Sequence, residues 1–151
     1  MSKIYNKYSY DEFGNWLETD SYNYDWNTWN LKKLPLPSTD WYFAFGSNMS
    51  RKRMQKRGLI WEHILKGSVE NYALKFNKKA FSLGLGYANI QVQKGSTVHG
   101  LLYKMESKEE ALILDEYESA PDHYERIELK VKTNRGKTVK AYTYIANSKM
   151  I

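Results

Sequence analysis

The chain has 151 residues and a formal net charge of +6, and 42% of its residues are hydrophobic. This length and composition are typical of one globular domain. The absence of cysteine excludes disulfide bonds, thiolate catalysis and cysteine-ligated zinc. No apolar run approaches the ~20 residues of a membrane span, and the N-terminus lacks the apolar segment of a secretory signal. We therefore expect a cytoplasmic protein that does not contact a membrane.

The positive charge is concentrated in the body of the chain. Residues 1–40 carry four Lys/Arg and six Asp/Glu, whereas residues 41–151 carry nineteen and eleven. A basic surface can attract nucleic acid, but a solvated, lysine-rich surface is the commoner reason, and we expect no nucleic-acid partner. The densest basic cluster, residues 51–57, suits either a phosphate site or the solvated face of a short helix with Met54 turned inward.

Residues 1–40 form a distinct N-terminal region that is rich in aromatic side chains. No helical or strand periodicity runs through it, and so much aromatic surface argues against a disordered tail. We interpret it as an irregular arm packed on the body, or as a surface for a protein partner. The prolines at 35 and 37 then predict an extended linker, which separates the arm from a domain at residues 41–151. The nine aromatic residues are Tyr5, Tyr8, Tyr10, Phe13, Trp16, Tyr22, Tyr24, Trp26 and Trp29.

The first half of the body predicts strands around one short helix. Residues 41–45 are nearly all apolar and read as a buried strand. Ser50 can cap a helix that extends to Arg57 and ends at Gly58. Two predicted pairs of strands follow, each around a glycine-containing turn. They are residues 61–65 with 72–76 around Gly67, and residues 87–92 with 98–105 around Gly95.

The second half predicts one helix and one hairpin. Ser107 and Glu110 have the spacing of a capping box, so a helix should run from there to about Tyr117. Alternating apolar residues at 127–131 and the return at 138–145 flank a turn at residues 134–136, which is typical of a hairpin. The prediction is about six strands and two helices, an α+β domain with a mostly antiparallel, barrel-like sheet.

Most familiar catalytic motifs are absent. The three histidines, His63, His99 and His123, lack metal-ligand spacing, and no Walker loop or G-x-S-x-G elbow occurs. The pair Gly84 and Gly86 lacks the third glycine of a dinucleotide loop. We therefore expect an activity, if there is one, without metal, cofactor or serine triad.

Two segments remain as candidates for chemistry. The first, residues 45–49, ends a strand in Gly-Ser-Asn before a helix, which can present backbone N–H groups to an anion. The second is Glu118 at the end of the second helix, where nearby unpaired carbonyls would raise its pKa as an acid/base group requires. Spacing alone favours a solvated Glu118 at the helix end, and we expect the neighbouring Glu116 to be solvated as well.

Taken together, these segments resemble the gamma-glutamylcyclotransferase-like (AIG2-like) family. Five short motifs follow one another in the family's order over about residues 41–146. They are YFAFGSNM at 42–49 with Arg53 after it, VENYALKF at 69–76, GYANI at 86–90, GSTVHGLLY at 95–103, and LDEYE at 114–118 followed by Tyr124.

This resemblance implies a compact β-barrel with flanking helices and an enzyme that needs no cofactor. The implied reaction is attack by the free α-amine of a γ-glutamyl group on its own γ-carbonyl, which gives 5-oxoproline and a released amine. The substrate would be a γ-glutamyl amino acid, glutathione or a γ-glutamyl amine. By position, Glu118 matches the acid/base glutamate and Tyr124 a pocket-side tyrosine. The substrate loop of the family matches Phe45, Gly46, Ser47, Asn48 and Met49.

The chain departs from the family pattern at two site positions. Phe45 stands where tyrosine is usual, and Ser119 follows the candidate acid where glycine is usual. These departures favour an alternative, a non-catalytic module on the same fold that binds RNA or protein. The retained Glu118 favours the enzyme.

Overall fold

The computed structural model describes residues 34–78 and 87–151. The predicted arm therefore lies outside the described residues except for its last part, in which residues 34–40 form no helix or strand. Residues Leu36–Ile151 form one compact unit. Within the described residues, no helix has the length and apolarity needed to cross a bilayer.

The described part of the chain is a five-stranded closed barrel with two α-helices, as the sequence predicted in kind. Its strand order is β1-β3-β2-β4-β5. Every pairing is antiparallel except the one that closes the barrel, where β1 meets β5 in parallel. The elements are β1 (Trp41–Ala44), α1 (Arg51–Lys56), β2 (Trp61–Lys78), β3 (Tyr87–Met105), α2 (Glu110–Tyr117), β4 (Tyr124–Thr133) and β5 (Thr138–Ala146).

The two predicted pairs of short strands are instead two long strands, β2 and β3, which pair with each other over most of their length. Gly67 is not a turn residue: a Cβ there would lie 2.7 Å from Val131 Cγ1, so glycine is required by close packing. Gly95 has a φ of +87° in a bulge, where its N–H donates to Asn71 Oδ1 at 3.0 Å. Both glycines lie within strands and do not reverse the chain, which is why the sequence divided β2 and β3 into shorter strands and predicted about six strands where the described residues form five.

Alternating residues of β1 contribute to two cores. Phe43 packs with residues from all five strands inside the barrel, whereas Tyr42 packs outside it with Met54 of α1 and Leu114 of α2. This division follows from the two-residue period of a strand. Both helices consequently cover the same outer side of the barrel, where β1 ends.

The two helices begin differently. Ser50 caps α1 as predicted, and its Oγ accepts a hydrogen bond from the Arg53 N–H at 3.2 Å. The predicted capping box of α2 was wrong, because Glu110 Oε1 accepts from the Ile60 N–H at 2.9 Å instead, and α2 starts at Glu110. This bond joins the start of α2 to the segment that follows α1.

Candidate active site

The loop after β1 forms one wall of a pocket. It bends into a 3-10 turn at Ser47–Met49, closed by the Met49 N–H donating to Gly46 O at 3.0 Å. The first N–H groups of such a turn have no partner inside it. A Cβ at Gly46 would lie 3.3 Å from Ala88 Cβ, so the absence of a side chain keeps this wall open.

Glu118 lies at the C-terminal end of α2. Its N–H donates to Leu114 O at 2.8 Å, which continues the helical bonding by one residue. The next residue, Ser119, has a φ of +51°, the left-handed conformation that glycine favours at helix ends. The backbone thus retains the shape suited to glycine although serine occupies the position.

The pocket has a volume of about 160 Å³. It collects six of the seven residues that the sequence singled out: Phe45, Gly46, Ser47, Asn48, Glu118 and Tyr124. Met49 is not among the described lining residues, and its side chain is exposed. The remaining lining residues are Tyr42, Tyr87, Ala88, Thr143 and Tyr144.

The side chain of Asn48 links this loop to Glu118. Its Nδ2 donates to Glu118 Oε2 at 3.3 Å and to the Tyr42 hydroxyl at 3.1 Å. Its Oδ1 accepts from Arg57 Nη1 at 2.8 Å, and the residue is only 3% exposed. The sequence indicated the backbone at this position, but the structure adds a buried amide that orients the carboxylate.

The pKa of Glu118 is raised to about 7, chiefly because burial disfavours the charged carboxylate. Arg57 and Lys78 oppose this rise, Asp115 adds to it, and the hydrogen bond from Asn48 lowers the pKa slightly. The sequence predicted the direction from the helix end, whereas burial is the main cause. A carboxyl group that titrates near neutral pH can both accept and return a proton.

Lys78 is a charged residue of this region that the sequence did not indicate. It is 3% exposed, and its Nζ lies 3.1 Å from His123 Nδ1. The ammonium also lies 5.1 and 5.2 Å from the ring centroids of Tyr87 and Tyr124, and burial lowers its pKa. A lysine in a strand is ordinarily interpreted as solvent-facing, so no sequence signal marked it.

Tyr124 contributes its ring rather than a free hydroxyl. The hydroxyl donates to Ala88 O at 2.9 Å, and burial raises the pKa of the phenol. The hydrogen bond joins β4 to β3 at the pocket, so Tyr124 shapes the wall.

The carboxylates beside Glu118 in sequence are buried. Asp115 pairs with Arg126 through two hydrogen bonds of 2.9 and 3.0 Å and also accepts from the Tyr144 hydroxyl. Glu116 is 8% exposed, so the expectation that it is solvated was wrong. The Asp115–Arg126 pair fixes α2 on the barrel and thereby positions the helix end that carries Glu118.

Comparison with known proteins shows which sequences and folds this chain resembles. The family model described as gamma-glutamyl cyclotransferase, AIG2-like, matches residues 42–150. A solved gamma-glutamyl cyclotransferase is 27% identical with a TM-score of 0.60, over 71% of this chain and 66% of that one. No curated protein matches this chain.

Two further structures share the fold. An uncharacterised protein from Homo sapiens is 27% identical with a TM-score of 0.62, over 74% of this chain and 68% of that one. An AIG2-like protein from Mus musculus is 22% identical with a TM-score of 0.56, over 72% of this chain and 78% of that one. The present chain thus spans about two thirds to three quarters of the length of these structures.

Proposed function

Since this chain belongs to the gamma-glutamyl cyclotransferase, AIG2-like family, we propose that it converts a γ-glutamyl compound into 5-oxoproline and a free amine. The observation that carries this proposal is the position of Glu118, a partly buried carboxyl group in a small pocket, with a pKa that desolvation raises to about 7. Its partner across the pocket is the Gly46–Asn48 loop.

Glu118 acts as the single acid/base in the proposed reaction. Its carboxylate takes a proton from the α-ammonium of the substrate, and the freed nitrogen attacks the γ-carbonyl carbon. Glu118 gives this proton to the leaving nitrogen of the tetrahedral intermediate and then takes a second proton from the ring nitrogen. The bond to the leaving nitrogen breaks as the oxyanion re-forms the carbonyl, and the departing amine receives the second proton from Glu118 and leaves as an ammonium ion. One carboxyl group suffices because the proton is borrowed and returned, and no covalent enzyme intermediate forms.

The loop supplies hydrogen-bond donors in this scheme. Backbone N–H groups at Gly46, Ser47 and Asn48 would hold the oxyanion or the α-carboxylate of the substrate. Attacking and attacked atoms belong to one molecule, so holding the bent conformation contributes roughly 7–11 kcal/mol of the barrier reduction. This is consistent with a site whose described side chains provide positioning and one proton carrier.

The small size of the pocket indicates that only part of the substrate enters it. Pockets for whole drug-sized ligands are about 300–1,000 Å³, whereas this one is about 160 Å³. We propose that the γ-glutamyl group enters and that the leaving amine remains outside. A γ-glutamyl amino acid, glutathione and a γ-glutamyl amine all satisfy this arrangement.

The pKa of Glu118 also distinguishes the enzyme from the alternative binding module. A module has no need of a buried carboxylate, which is costly to maintain near neutral pH. The raised pKa of Glu118 and its alignment by Asn48 therefore support catalysis over binding alone.

The test is release of 5-oxoproline from the three classes of γ-glutamyl compound, measured with the full chain. We expect at least one class to be converted, and Glu118→Gln to lower kcat by at least about 100-fold because an amide cannot carry the proton. Glu109→Gln is the matched control, since Glu109 is exposed. Conversion of none of the three classes, or an active Glu118→Gln variant, would refute the proposal.

A further inference from the structure

A second cleft lies beside the candidate active site and is lined by basic residues. Its volume is about 470 Å³, and its described lining residues include no carboxylate. Three cations come from α1 and a fourth, Arg57, follows its end. The lining residues are Ser50, Lys52, Arg53, Lys56, Arg57 and Tyr117.

The four cations of this cleft have no ion-pair partner among the residues that the structure describes. Among the residues that the structure describes, the ion pairs within 4.0 Å involve Lys104, Arg126 and Lys140 and none of the cleft cations. Arg53 is close enough to Arg57 to help lower its pKa, after burial as the main cause. Like charges gathered in a concave site concentrate an attractive field for anions.

Arg57 distinguishes this cleft from an ordinary solvated helix face. Its guanidinium lies 4.6 Å from the ring centroid of Tyr117 and donates to Asn48 Oδ1 at 2.8 Å. These contacts hold one cation of the cleft in a fixed place, while Lys52, Arg53 and Lys56 stay exposed around it. A guanidinium held in place with exposed cations nearby suits an anion that has several oxygens.

We propose that this basic cleft binds a small phosphate-bearing anion with at least two phosphoryl groups. The cleft is larger than a single phosphate requires and lies within the range of small-molecule sites. Among the described lining residues, Tyr117 provides an aromatic ring, and the guanidinium of Arg57 already covers it. Recognition therefore depends on charge rather than on stacking of a base.

The contacts of Arg57 couple the cleft to the candidate active site. Arg57 binds Asn48 at 2.8 Å, and Asn48 binds Glu118 Oε2 at 3.3 Å, so two hydrogen bonds separate the cleft from the carboxylate. A bound phosphate would partly neutralise the positive charge of Arg57, so Arg57 would lower the pKa of Glu118 less than it does in the free protein. The other charged groups acting on Glu118, Lys78 and Asp115, lie on β2 and α2 and do not line the cleft.

Binding is tested with inorganic pyrophosphate by titration calorimetry on the full chain at low ionic strength. We expect saturable binding that weakens with salt, and at least tenfold weaker binding by the triple variant Lys52→Gln, Arg53→Gln, Lys56→Gln. The matched control is Lys130→Gln, Lys132→Gln, Lys137→Gln, which removes three exposed cations from the β4–β5 hairpin and should change the affinity less than twofold.

The results separate this site from general electrostatic attraction. Equal losses in the two triple variants, no binding at millimolar pyrophosphate, or equally tight binding of citrate would overturn the proposal. This binding test does not rest on the proposed cyclotransferase activity. Where that activity is measured, saturating pyrophosphate should move the acid limb of kcat/KM to higher pH, and an unmoved limb would overturn the coupling through Arg57.

Discussion

Burial and nearby charges shift the pKa of Glu118 in opposite directions, and the pH dependence of activity measures the net shift. Burial raises its pKa to about 7, against the opposing charges of Arg57 and Lys78. If the carboxylate is the base, kcat/KM should rise with pH and level off above an apparent pKa of about 7. Activity at pH 5 should then be roughly 100-fold lower than the plateau. A pH–rate profile measures this directly, and an acid limb near pH 4.5 would show that burial does not govern the group.

Substitution of Asn48 by aspartate changes one functional group and keeps the shape of the side chain. In Asn48→Asp the oxygen that accepts from Arg57 can remain, but the N–H that faces Glu118 is replaced by a second acid. Repulsion between neighbouring carboxylates raises a pKa, so the acid limb should move up by about one unit. Activity at pH 7 should fall about fivefold, with recovery at higher pH.

The control for this substitution is Asn134→Asp in the exposed β4–β5 turn, which should leave the profile unchanged. The measurement is kcat/KM across pH for both variants. If Asn48→Asp lowered activity equally at every pH, the amide would support the fold of the loop rather than the titration of Glu118.

At the scale of elements, two glycines allow the strands to pack closely. A Cβ at Gly100 of β3 would lie 2.3 Å from the backbone oxygen of Ala44 and 2.9 Å from the ring of Phe43. A Cβ at Gly67 would meet the side chain of Val131 instead, which can shift more readily than a backbone atom. Overpacking typically costs about 1–3 kcal/mol.

We therefore expect Gly67→Ala to destabilise the fold within that range and Gly100→Ala to destabilise it by at least the upper end. Urea unfolding of the two variants beside the wild type gives the comparison. Equal losses, or a milder effect of Gly100→Ala, would mean that β1 can move away from β3. That outcome would also predict a displaced loop and lower activity, because β1 leads directly into Gly46.

At the scale of the whole molecule, the sequence predicted the barrel and most of the pocket, but not the lengths of β2 and β3. Gly67 and Gly95 looked alike as turn signals, yet one is required by packing against Val131 and the other by a bulge at Asn71. Only contacts distant in sequence distinguish these cases. Local patterns cannot supply such contacts.

In the candidate site, too, contacts between residues distant in sequence could not be predicted from local patterns. The resemblance to the family placed Glu118 and the loop in one site, and both line the same pocket. The burial of Glu116 and Lys78 and the bond from Arg57 to Asn48 depend on how helices and strands meet. These contacts decide the electrostatics of the site, so the presence of Glu118 in the pocket was predictable while the causes of its raised pKa were not.

The free energy of unfolding should depend on pH through the titration of Glu118. Its pKa rises from the ordinary 4.5 to about 7 in the folded chain, so the folded state binds this proton more tightly than the unfolded state. Stability from this group is therefore fully present below pH 4.5 and is lost as the pH rises to about 7. The loss amounts to roughly 3 kcal/mol, a substantial part of the ~5–15 kcal/mol typical of a domain.

The glutamine of Glu118→Gln does not titrate. Between pH 4.5 and pH 8 the free energy of unfolding of the variant should therefore rise by roughly 3 kcal/mol relative to that of the wild type. Titrating groups that do not interact with Glu118 are common to both proteins and cancel in the difference. Urea unfolding at several pH values, with Glu109→Gln as the matched control, measures the effect. Parallel stability curves for wild type and Glu118→Gln would mean that Glu118 titrates normally, and any loss of activity in the variant would then need a cause other than a raised pKa.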